Sequence, residues 1–151
     1  MILVNGVVAL GVLAVLFAVF DVRPILAARL EAIPLVRAAA HWNLLWPMLP
    51  GGAVGFACLW YWLAFMGRAR GVTWGGALLY GGAIAFGNVP LSAFLVGLLH
   101  GNPVLALVLA LVSLLNLLQP SFTLAMAVFG LTMGAFNGAL AHAWIERHRP
   151  R

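Results

Sequence analysis

The sequence predicts an all-α, polytopic membrane fold, and three observations carry that prediction. Five long apolar stretches contain no Lys, Arg, Asp or Glu: residues 1–20, 44–66, 72–99, 103–118 and 121–145. The 151 residues are 65% hydrophobic and 7% charged, against roughly 25% charged in soluble domains. The mean hydropathy is +1.10. A water-soluble fold has nowhere to put so much apolar surface, whereas a bilayer accepts it as solvent. The whole chain therefore reads as one transmembrane domain. Segment 21–43 is too short to build a core of its own, and residues 146–151 form a basic tail.

Each stretch has its own reading. Residues 1–20 lack the basic start and small-residue cleavage site of a signal peptide, so they read as a retained first helix. Segment 21–43 is amphipathic. Pro24 suits the first turn of a helix, with Asp21 near the positive end of its dipole. Ile25, Leu26, Leu30, Ile33 and Leu35 alternate with Arg29, Glu31 and Arg37, and Pro34 breaks the run. The prediction is an interfacial helix in two pieces, with Arg23, Arg29 and Arg37 turned toward lipid phosphates.

The second span opens on Trp46-Pro47-Met48-Leu49-Pro50-Gly51-Gly52, where two prolines and two glycines predict an interruption of regular helix. The third holds Gly87-Asn88-Val89-Pro90 near its centre, which predicts a proline kink. Its alternative is a transporter-type break. The turns are clear. Gly101 suits a helix end and Pro103 a helix start, and Gln119-Pro120-Ser121 makes the last connection. Such short links predict that spans three, four and five are antiparallel neighbours.

The fourth stretch has only 16 residues, about 24 Å of helix against a hydrocarbon core of about 30 Å. Five transmembrane helices are the primary expectation, with four plus a re-entrant helix as runner-up. Five crossings put Arg23, Arg29, Arg37, Arg147, Arg149 and Arg151 on one side and Arg68 and Arg70 on the other. Positive charge stays in the cytoplasm. That count predicts an inner or plasma membrane protein with its N-terminus outside and its C-terminus cytoplasmic. Four crossings weaken the asymmetry to five against three.

Gly130, Gly134 and Gly138 recur every four residues along span five, a doubled GxxxG face on which another helix can approach closely. Asn88, Ser92, Ser113, Asn116, Thr123, Thr132 and Asn137 are uncharged span residues suited to interhelical hydrogen bonds. Proton and cation pathways normally need intramembrane carboxylates, and the stretches have none. A path for a neutral or anionic solute remains, with Asn88, Pro90 and Asn137 as its candidate lining. His100 and His142 are candidate axial ligands for haem, or holders of a pigment. No His spacing supports a metal site, and no nucleophile elbow or carboxylate pair supports catalysis.

The leading functional expectation is a non-catalytic small subunit or scaffold of a larger membrane assembly. It would associate through glycine-rich helix faces with other membrane subunits or with copies of itself, in the lipid bilayer and without nucleic acid. The alternatives are a small oligomeric channel or transporter, and a haem- or pigment-binding electron-transfer component.

Overall fold

Five helices follow the five apolar stretches: α1 (Ile2–Val19), α2 (Pro34–Arg70), α3 (Trp74–Leu99), α4 (Pro103–Leu114) and α5 (Pro120–Arg147). A 3-10 turn, Leu115–Leu118, joins α4 to α5. The structure, a computed structural model, describes residues 1–20 and 34–148. The side chains of residues 17, 18, 34–48, 69 and 70 lie outside that description. Among the described residues there is no strand. Three helical segments are long and apolar enough to cross a membrane: Leu49–Arg68, Trp74–Leu99 and Pro120–Arg147. Ile2–Leu16 and Pro103–Leu118 are shorter apolar helices.

The helix ends follow local chemistry. Asn102 caps α4, its Oδ1 accepting from the N–H groups of Val104 and Leu105 at 3.0 Å each, with Pro103 at the first helical position. Gly101 takes φ +71 between α3 and α4, and Gly71 takes φ +80 between α2 and α3. Those are conformations that other residues resist. Gln119 and Pro120 begin α5.

One expectation about helix continuity is corrected. The helix does not stop at Pro47–Gly52: α2 runs unbroken from Pro34 through both prolines to Arg70. Each proline removes one ladder bond, and a neighbouring helix can satisfy the groups so freed. α3 supplies polar groups at that level, because the Asn88 amide lies against Gly51 and Gly52 where a Cβ would otherwise sit. Likewise α3 passes through Pro90 without a break. The two-piece interfacial helix falls largely on residues 21–33, outside the described residues.

The packing order is also not the expected one. α5 lies on α3 and α2, and it makes no close approach to α4. Its glycines set the register. A Cβ on Gly130 would fall 2.6 Å from Gly82 Cα, and one on Gly134 would fall 3.2 Å from Leu78 Cα. Gly138 meets Trp74 and Ala77. As α5 advances, α3 recedes, so the two helices are antiparallel. α2 and α5 run the same way, with Phe56 beside Phe129 and Gly67 beside Ile145. α3 and α4 form an antiparallel hairpin closed at Gly97 against Ala106. Extending these registers sets Pro120 level with Ser92, roughly 10 Å short of the Leu99 end of α3.

The core lies where α5 meets α2, α3 and α1. Phe56, Phe122, Phe129, Leu13, Met126 and Met133 are its largest fully buried side chains, together with two asparagines. Phe56 and Phe129 meet edge to face at 5.5 Å, a preferred aromatic geometry.

Candidate functional site

Four groups of residues rise above ordinary apolar packing. The first is the α3–α5 seam. Gly81, Gly130 and Gly134 bring backbone against backbone, so Gly130, Gly134 and Gly138 are occupied by a helix of the same chain. This takes the sharpest glycine face out of the partner surface expected from the sequence. Gly55 similarly packs on Ile84 of α3.

The second is a buried amide pair. Asn137 donates from Nδ2 to Asn5 Oδ1 at 2.7 Å and to the Met133 carbonyl at 2.9 Å. Asn5 in turn donates to the Met1 carbonyl at 3.2 Å. Both residues are fully buried. Asn137 Oδ1 is buried with no hydrogen-bond partner. The sequence marked Asn137 but missed Asn5, whose only signal is a lone amide in an apolar run.

The third is Asn88 with Ser92, whose hydroxyl donates to Asn88 Oδ1 at 3.2 Å. Gly51 and Gly52 make room for this pair on α2. The three residues proposed as a solute path do not come together. Asn137 adjoins Gly138, which touches Trp74 near the start of α3, and Asn88 lies fourteen positions further along. That is roughly 20 Å of helix.

The fourth group closes the end of the bundle at the α2–α3 turn. Arg68 places its guanidinium carbon 4.6 Å from the Trp144 ring centroid, within cation–π range. Trp60 meets Trp144 edge to face at 6.0 Å, and Trp62 meets Tyr80 at 4.9 Å. A cavity of about 160 Å³ opens beside them, lined by Trp60, Tyr61, Ala64, Phe65, Arg68 and Trp144.

The histidines are dispersed. His100 caps the C-terminal end of α3, with Nδ1 donating to the Val96 carbonyl at 2.8 Å. His142 lies one turn beyond Gly138, past the opposite end of α3. A 26-residue helix, roughly 39 Å long, separates them, so the fold does not bring them to one haem. His142 Nε2 faces Glu146 Oε1 at 3.8 Å. His148 lies against Trp144, ring centroids 4.7 Å apart. Among the described residues no three of His, Cys, Asp and Glu gather in a metal-ligating group. Arg23 and Arg29 lie outside the described residues, as do the side chains of Arg37 and His41.

No family model, curated protein or solved structure matches the chain.

Proposed function

We propose that the chain is a non-catalytic membrane subunit or scaffold, acting through its outward helix faces within a larger assembly. One observation carries this reading: the interior is filled. Phe56, Phe122, Phe129, Met126 and Met133 occupy its centre, and backbone meets backbone along the α3–α5 seam. Little room remains inside one copy for a substrate or a solute. The outer surface is extensive by contrast, and α4 alone exposes Val104, Leu107, Val108 and Leu111. The Gly130, Gly134 and Gly138 face lies against α3, so the reading rests on these long apolar side chains.

The same geometry favours four crossings, by α1, α2, α3 and α5, with α4 entering and leaving on one side. Antiparallel α3 and α5 need an even number of crossings between the end of α3 and the start of α5, and a re-entrant α4 makes none. Arg68, Arg70, Arg147, Arg149 and Arg151 then share a side, with Arg23, Arg29 and Arg37 opposite. The positive-inside rule puts both termini in the cytoplasm. This replaces an external N-terminus, and paired reporter fusions at the two ends test it. Reporters on the same side support it; opposite sides restore five crossings.

The subunit reading is tested by mild extraction from native membranes. A partner held at fixed stoichiometry, and released by Leu107→Ala with Leu111→Ala, is the expected result. A solitary monomer in native lipid would overturn it.

A second reading, an oligomeric solute path, draws on the α4–α5 link. There the α-helix gives way to a 3-10 turn next to Ser113, Asn116 and Gln119. Irregular backbone at membrane depth needs protein or water around it. Liposome flux that falls on Asn116→Leu would favour this reading; flux no higher than in empty liposomes would remove it.

A further inference from the structure

We infer that the pocket between α2 and α5 binds one anionic membrane lipid, its phosphate on Arg68 and its acyl chain along Tyr61 and Phe65. The pocket is built from spacing. Trp60, Tyr61, Ala64, Phe65 and Arg68 recur at helical intervals on one side of α2, and Trp144 of α5 closes the far wall. Ala64 is buried and forms the floor, while Tyr61 and Phe65 are 68% and 64% exposed. Two large rings left open beside a small floor residue make a channel that an alkyl chain fits.

Arg68 supplies the charge. Its guanidinium carbon lies over the Trp144 ring, and a guanidinium carries a fork of N–H donors that suits a phosphate. Among the described residues no carboxylate pairs with Arg68; Glu146 instead faces His142. The setting is a membrane surface. Trp60, Trp62, Tyr80 and Trp144 gather at this end of the bundle, as aromatic side chains do at headgroup level. The pocket therefore joins an apolar trough to a forked cation at the depth where a phospholipid changes from chain to headgroup. A free phosphate would use only the cation.

Native mass spectrometry of the full chain tests the assignment, with dioleoyl phosphatidylglycerol and dioleoyl phosphatidylcholine as competing probes. The wild type should retain one phosphatidylglycerol with a several-fold preference. Arg68→Gln should abolish the preference. Arg68→Lys, which keeps the charge and removes the fork, should lose most of it; this variant reads the site if Arg68→Gln fails to fold. Arg147→Gln, with the same change in net charge, should retain it. Equal losses in Arg68→Gln and Arg147→Gln would overturn the proposal, because general charge would then explain binding. Equal retention of the two lipids by the wild type would overturn it too, as would displacement by inorganic phosphate.

Discussion

Individual glycines in this chain have opposite roles, and space decides which. A Cβ on Gly134 would meet Ala77 backbone and fall 3.2 Å from Leu78 Cα, so Gly134→Leu must force α3 and α5 apart. Overpacking of this kind costs about 1–3 kcal/mol or more, and the thermal midpoint in detergent should drop accordingly. Gly87 has nothing within 4 Å of the same position. Gly87→Ala should stabilise α3, by up to about 1 kcal/mol from reduced chain entropy. The Asn5–Asn137 pair makes a third test. Losing one partner leaves the other amide buried, a cost of about 1–3 kcal/mol. Asn5→Leu with Asn137→Leu should recover much of that loss in a double-mutant cycle, since Asn137 Oδ1 already lacks a partner. The sequence singled out Asn137 as polar and buried. It held no sign of Asn5 as its partner, because that contact joins residues 132 positions apart.

At the scale of elements, what local chemistry controls was legible and what packing controls was not. Gly101, Asn102 and Pro103 announce the α3–α4 turn, and Asn102 caps α4 with two bonds. Asn102→Ala should cost about 1 kcal/mol, read as an earlier melt of the same bundle. Pro47 and Pro50 misled, because propensity treats a proline as a stop. Within a bundle, packing against neighbouring helices can keep such a helix continuous. The direction of α5 was equally hidden. Gln119-Pro120 marks a helix start whether or not α4 has crossed the bilayer. The antiparallel register of Gly130 and Gly134 on α3 emerges only from the packing.

For the whole molecule, composition pointed to helices long and apolar enough to cross a membrane, of which three are present among the described residues, and left their arrangement open. All five apolar stretches are helices, yet the helices next to each other in sequence are not always next to each other in space. The candidate sites followed the same division. Trp60 and Trp144 stand in separate apolar stretches, and their meeting in one pocket depends on α2 and α5 running side by side. The histidines failed to converge for the converse reason, since His100 caps one end of α3 and His142, on α5, lies past the other.

The place of α5 also bears on how the chain is made. It touches α1, α2 and α3, and it supplies Phe122, Met126, Phe129 and Met133 to the core. α5 leaves the ribosome after the helices whose centre it fills. Until it arrives, the nascent chain has Gly81 and Ala85 of α3 and Phe56 of α2 facing a vacant slot. A chain terminated after residue 118 therefore loses its middle rather than its edge. In cells it should be cleared rapidly by quality control, while the full chain persists; a pulse–chase comparison measures the difference. Newly exposed packing faces are what make incomplete chains prone to aggregation. The arrival of α5 is then also the step that closes the fold.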